Sequence, residues 1–337
     1  MVKKAKNTYL EICRFLAAVT VMLHHTDVIG LQKIAPGGWI FVEFYFVISG
    51  FFVTRHFDNE KMNDNIEKEA LLYTINKLKN VIPYAYVGIF IGAFNQIINN
   101  RDSFSTICEV LLSLPANLLF LGGLGIARYN LNGPLWYLSV MILVMPLLIL
   151  LLVKVRPFFY YLGSWIIPLF LYLIMFSVRG NIEYFDKQYF IHCLLRAIAG
   201  LSAGSCSKYL KSIKMSVGTL RLLTFVELIS FAVMLFAAYK TDCLNIAFAS
   251  VLMAMLTVGI SLSGKEYLQN VLPHCIGKIG SFSVPIFCLH RPIFGTVRYF
   301  FSDLPDEKRI LVGVGLSLII PFLLKLFVDL LNPNMER

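Results

Sequence analysis

Charge is scarce in this chain. Only 15% of its 337 residues are Asp, Glu, Lys or Arg, where a soluble domain carries about a quarter. That scarcity excludes a water-soluble protein of this length. Acids are the rarer sign, 20 against 30 bases, for a formal net charge of +10. In a soluble protein such an excess would raise nucleic acid as a partner. In an apolar chain it reads as the positive-inside bias, with anionic headgroups as counter-charge, and no nucleic-acid partner is expected. The seven cysteines (13, 108, 193, 206, 243, 275 and 288) have neither paired nor metal-type spacing and mostly fall inside apolar runs. They read as small core residues, and no metal site is expected. No repeat, low-complexity tail or separate hydrophilic domain is visible. The apolar runs are continuous rather than alternating, which argues against a transmembrane β-barrel.

What is present is apolar: 58% of residues are hydrophobic and the mean hydropathy is +0.71. Candidate spans fall at 8–30, 38–57, 81–99, 135–153, 158–177, 189–207, 219–239, 244–262, 279–301 and 309–331, each near the ~20 residues that cross a ~30 Å hydrocarbon core. A further stretch, 106–122, holds Glu109, Pro115 and Asn117 and ends in Gly122-Gly-Leu-Gly125. It reads as a short or re-entrant helix on the outer side. The expectation is an all-α integral membrane protein with about ten transmembrane helices plus that short helix, in one domain covering 1–337.

Basic residues choose the orientation. With the N-terminus inside, the inner loops collect Lys3, Lys4, Lys6, Arg55, Lys61, Lys68, Lys77, Lys79, Lys154, Arg156 and the cluster Lys208, Lys211, Lys214 and Arg221. The outer loops hold fewer. Counting 106–122 as a full span would move Lys154, Arg156 and that cluster outside, so ten spans with both termini cytoplasmic fit better. A cell-membrane, multi-pass protein is expected. The stretch 55–80 reads as an amphipathic surface helix or a loop. The basic N-terminus followed by an apolar run resembles a signal peptide, but the run carries Glu11, Arg14, His24 and His25 without a small-residue cleavage site, so it reads as a retained first helix.

Ionisable groups in lipid are costly and belong in a protected interior. Arg14 and His25 are eleven residues apart, about three helical turns, which returns to within about 20° of the same face and separates them by about 16 Å. Ala18 and Val21 lie between them on that stripe. A guanidinium suits phosphate or carboxylate, and Glu11, three residues earlier, is placed to hold it. An imidazole in a protected cavity can accept a proton from a hydroxyl. His24 points about 80° away and reads as a headgroup-level residue. In the second span Glu43 falls at the depth of His25 if the two helices form a hairpin, where it would orient or charge-stabilise the imidazole. Ser49-Gly50 reads as close helix packing. Arg196, with Gly200 and Gly204 nearby, and His290 read as polar cavity lining. Trp136 and Tyr137 read as members of an outer aromatic belt.

These residues together resemble the membrane acyltransferase-3 family, bacterial enzymes that acylate surface glycans. The resemblance rests on Glu11, Arg14 and His25; on Val42-Glu43 through Ser49-Gly50-Phe51; on Lys77, Lys79 and Pro83-Tyr84; on Pro134-Leu-Trp-Tyr-Leu-Ser139; and on Ser283 with His290-Arg-Pro292. The order runs over nearly the whole chain. Lysines and Asn80 stand where the family has arginines, Val140-Met141 where an acid often follows the Trp-Ser stretch, and Phe287 where a tyrosine is usual. The resemblance implies an O-acyltransferase moving an acyl group, acetyl by default, from cytoplasmic acyl-CoA to a hydroxyl of a surface polysaccharide or its lipid-linked precursor. It implies His25 and Glu43 as catalytic residues, Arg14, Lys77, Lys79 and Arg156 as the phosphate-binding group, and Glu11, Ser139, Arg196 and His290 as cavity lining. Acyl-CoA is then the donor substrate. Expected partners are membrane lipid, a glycan acceptor and acyl-CoA, with a homodimer left open. Direct transfer and an acyl-histidine relay both remain open. The competing reading is a polysaccharide or small-molecule transporter.

Overall fold

The computed structural model describes residues 7–30, 32–57, 65–179, 189–206, 214–240, 245–263, 272–273 and 276–332. Twelve long helices are present among them: α1 Thr8–His24, α2 Ile40–Phe57, α3 Ile66–Lys79, α4 Ile82–Asn99, α5 Phe104–Leu118, α6 Trp136–Lys154, α7 Ser164–Arg179, α8 Tyr189–Ala203, α9 Val217–Lys240, α10 Asn245–Ser263, α11 Ser283–Phe300 and α12 Asp306–Leu331. No strand occurs among the described residues. Lys3, Lys4, Lys6, Lys61, Lys208, Lys211, Cys243 and Cys275 lie outside them.

Every expected span has a helix, but not every helix is a span by length and composition. Six segments, Thr8–Ile29, Ile40–Phe57, Gly133–Lys154, Arg156–Met175, Val217–Lys240 and Asp306–Leu331, are long and apolar enough. A seventh arises if α3 and α4, bent by 57°, are taken together. The stretches Cys193–Cys206 and Ala249–Ser261 are apolar but short. In α11, His290, Arg291 and Arg298 interrupt the apolar composition. The protein is an all-α membrane protein.

α1 begins at Asn7, whose side chain accepts the Leu10 N–H at 3.0 Å, and Glu11 lies in the first turn, where the helix dipole favours an acid. α2 is apolar all round because it is buried all round, between α8 and α10. Glycine makes the α2–α8 approach possible. A Cβ on Gly50 would meet the Leu201 carbonyl, and one on Gly200 would meet the Cβ of Phe46. α12 is the opposite case, with only 22% of its apolar window buried, as expected of a helix that faces lipid.

The packing resolves into three contiguous cores. One joins α1 and α2 to α9 and α10, one joins α1 to α4 and α11, and one joins α2 to α6 and α8. α1 and α2 are therefore the centre. α3 is amphipathic and packs on α6 outside the six spans, and α5 packs on α4.

Candidate functional site

The end of α1 departs from the helical expectation. The α-helix stops at His24, and His25 opens a tighter turn, His25–Ile29, closed by Gly30 at φ 91°, a left-handed angle that suits glycine. Thr26 pins this turn: its hydroxyl donates to the carbonyls of Leu23 and Gln32 at 3.0 and 3.1 Å and accepts the Ile34 N–H at 3.0 Å. His24 is buried, with Nδ1 at 3.0 Å from the Ala35 carbonyl and Nε2 at 3.3 Å from Lys33 Nζ. It holds the returning loop.

His25 is half-buried, and its ring stacks on that of His290, with centroids 5.2 Å apart and planes 22° apart. His290 is fully buried. Its Nδ1 lies 2.9 Å from the Ile286 carbonyl. A carbonyl only accepts, so Nδ1 carries the proton and Nε2 presents its lone pair. That Nε2 is buried and has no hydrogen-bond partner.

Glu43 is elsewhere. It accepts from Arg196 Nε at 2.6 Å and from the Tyr172 hydroxyl, and Arg196 Nη2 lies 2.5 Å from the same carboxylate. The guanidinium of Arg196 also stands over the rings of Trp136 and Trp39, at 5.1 and 5.7 Å from their centroids. The groups that act electrostatically on His25 are His290, His24, Arg291 and Lys33, and Glu43 is not among them. The expected His25–Glu43 pair is thus replaced by a His25–His290 stack and a separate α2–α8 ion pair. Its acid and base lie 153 positions apart, a distance over which no local pattern announces a contact. Arg196 is correspondingly a structural partner of Glu43. Trp136 serves that pair.

Two cavities are lined by close chain neighbours of these histidines, one by Phe287 and the other by Val28 and Arg291. The first, of about 510 Å³, is lined by Glu11, Arg14, Tyr45, Ser49, Tyr73, Lys77, Tyr137, Ser283 and Phe287 among others. Arg14 Nη1 binds both Glu11 oxygens, at 2.9 and 3.0 Å, while its Nε–H is buried without a partner. Tyr45 donates to the Arg14 carbonyl at 2.5 Å, and the hydroxyls of Ser49 and Tyr137 are 3.0 Å apart. Tyr137 is therefore cavity wall. Lys77 stands at the rings of Phe52 and Tyr73, 5.2 and 5.4 Å from their centroids. Desolvation, then repulsion from Arg14, holds its pKa below the ordinary lysine value, as befits two cations sharing one site.

The other expected residues fall away from this cavity. Arg156 donates to the Phe57 carbonyl at 3.1 Å, closing the C-terminus of α2. Lys79 is exposed and does not line the cavity. Ser139 is buried and bonds back to the Leu135 carbonyl at 3.4 Å, against Gly123.

The second cavity, of about 650 Å³, is lined by Val28, Gln96, Asn99, Asn130, Asn132, Arg291, Arg298 and Tyr299 among others. α11 serves both spaces. Ser283, Val284 and Phe287 face the first; Arg291, Pro292, Gly295 and Arg298 face the second. His290 sits at the crossover. Pro292 lacks an N–H, so the Cys288 carbonyl loses its helical donor, and Asn132 Nδ2 supplies one at 2.8 Å. Asn95 Nδ2 donates to the Pro292 carbonyl at 2.8 Å, tying α4 to α11 at the same proline. Sequence reasoning missed these asparagines, although a proline inside an apolar span is the signal for them.

Residues 7–327 match a family model described as an acyltransferase domain. The chain belongs to the acyltransferase-3 family. No curated protein and no solved structure matches it. Membership makes this membrane protein an acyltransferase, and its two cavities, together with the stacked His25–His290 pair, are the candidate active site. Among the described residues no three His, Cys, Asp or Glu side chains gather as metal ligands would.

Proposed function

We propose that this acyltransferase takes an acyl group, acetyl by default, from acyl-CoA in the Arg14 cavity and delivers it to a glycan hydroxyl in the Arg291 cavity. The observation that carries the reading is α11, whose Phe287 lines the first space and whose Arg291 lines the second, with His290 between them along the helix and stacked on His25. A donor and an acceptor that approach from opposite ends need one reactive centre between them.

Arg14 and Lys77 supply the cations for CoA phosphates. The volume of the first cavity lies in the ordinary range for small-molecule sites, and its apolar wall suits the pantetheine arm. The basic residues Lys77, Lys79, Lys154 and Arg156 support a cytoplasmic placement of this end. At the centre His25 takes the proton of the acceptor hydroxyl. The bare Nε2 of His290 accepts a hydrogen bond from a neighbouring hydroxyl of the same sugar and so holds the reacting oxygen at His25. The C–O ester bond forms, the thioester C–S bond breaks, and the proton leaves on the CoA thiol. In this scheme Glu43 fixes α2 against α8 and takes no part in the proton transfer.

The test is transfer of label from acetyl-CoA to surface polysaccharide by the purified protein in nanodiscs. Label should appear in the glycan with the intact protein and be lost with His25→Ala. Movement of glycan across vesicles without acylation would replace this reading with that of an exporter.

A further inference from the structure

The second cavity is unusually one-signed. Its wall carries the guanidinium groups of Arg291 and Arg298 and no aspartate or glutamate. Neither arginine has a carboxylate partner among the described residues. The two are seven residues apart on α11, hence about two turns and on the same face. Facing them is a wall of amides. Asn132 is buried, and its Oδ1 has no hydrogen-bond partner; Gln96 and Asn99 add further amides, and Tyr299 a ring and a hydroxyl. Gly133 leaves room for this arrangement, since a Cβ there would overlap the Arg291 guanidinium.

Amides and a ring recognise sugar hydroxyls and faces, whereas two unpaired guanidinium forks recognise oxyanions. We infer that the acceptor is an acidic glycan, one carrying a sugar carboxylate or a phosphate, and that Arg291 and Arg298 bind the anionic group while Asn132 Oδ1 accepts a hydrogen bond from a sugar hydroxyl. Arg291 follows His290 directly, so the anchored charge sets which hydroxyl lies at the imidazole pair. The inference deepens the acyltransferase reading above and rests on it.

Binding to protein in nanodiscs separates the two. Three oligosaccharides of equal length serve as probes: one built from uronic acids, its carboxyl-reduced neutral counterpart, and a neutral one linked to a short polyprenyl pyrophosphate. The acidic probe in use should bind at least tenfold more tightly than the neutral one, and the advantage should shrink as salt rises. Preference for the uronic probe places the charge in the glycan chain; preference for the pyrophosphate probe places it in the lipid carrier. Arg291→Gln and Arg298→Gln should each weaken the acidic probe by about tenfold with little effect on the neutral one. Gly133→Ala, which displaces the guanidinium without removing it, should act like Arg291→Gln. Equal binding of neutral and acidic probes, or arginine variants that bind as tightly as the parent, overturns the inference. Acyl-CoA binding by the parent protein is measured in parallel. Its failure alongside intact glycan selectivity would defeat the enzyme reading and leave this site standing.

Discussion

At the scale of single residues, the informative contrast lies between two buried polar groups. Glu43 has every oxygen engaged, by Arg196 and Tyr172, and so has nothing left to offer a substrate. His290 has one nitrogen engaged and the other bare. An unpartnered buried acceptor costs about 1–3 kcal/mol, and such a cost is retained where the group acts. The discriminating substitution is His290→Asn. The asparagine amide can still donate to the Ile286 carbonyl from nearly the position of Nδ1, while the Nε2 lone pair is gone. Acyl transfer should fall by about 10²-fold or more while thermal stability in detergent changes little. Equal turnover at equal stability would remove His290 from the mechanism. His25→Ala should lower turnover at least as much, with the KM for acyl-CoA nearly unchanged, because Arg14 and Lys77 hold the donor in the other cavity.

Between elements, Glu43 and Arg196 bind α2 to α8, and their removal is a question of stability. Glu43→Gln leaves a charged guanidinium buried without its counter-ion, a loss of about 3–5 kcal/mol. The double variant Glu43→Leu with Arg196→Met should be more stable than either of its single substitutions, because the unpaired charge is gone. Thermal unfolding of the four proteins in one detergent reads this directly; additive losses would mean that the two side chains act independently. α11 offers a parallel case. Asn132→Ala leaves the Cys288 carbonyl without a donor, at a cost of about 1–3 kcal/mol, and should loosen the wall beside His290. The helices themselves were legible because lipid tolerates few alternatives: an apolar run of the right length must satisfy its backbone internally. Glu11 with Arg14 was legible for the same local reason, three residues on one helix. The partners of Glu43 and His25 were not, since they come from α8 and α11, and hairpin geometry alone placed the acid at the wrong imidazole. The extra turn at His25 was also hidden, because its cause is a loop pinned by Thr26 and His24 rather than any pattern within α1.

Across the whole molecule, the arrangement requires that the two cavities open toward opposite faces of the membrane. Lys77 of α3 lines the first, and Asn130, in the loop before α6, lines the second. Asn117 shapes that loop, donating to the Ser113 and Tyr129 carbonyls at 2.8 and 2.9 Å and accepting the Leu131 N–H at 3.0 Å. His290, fully buried, lies along α11 between Phe287 of the first wall and Arg291 of the second. Labelling of intact cells with a membrane-impermeant maleimide tests the consequence. A cysteine introduced at Asn130 should react from outside. One introduced at Lys79, an exposed position beside the first cavity, should react only after the cells are opened, each judged against the parent protein with its native cysteines. If both positions react from the same side, donor and acceptor would have to share one face, and transfer across the bilayer by way of the histidine pair would have no geometric basis. If they react from opposite sides, the barrier between them is the stacked His25 and His290, and blocking either cavity should stop transfer without closing the other to its own ligand.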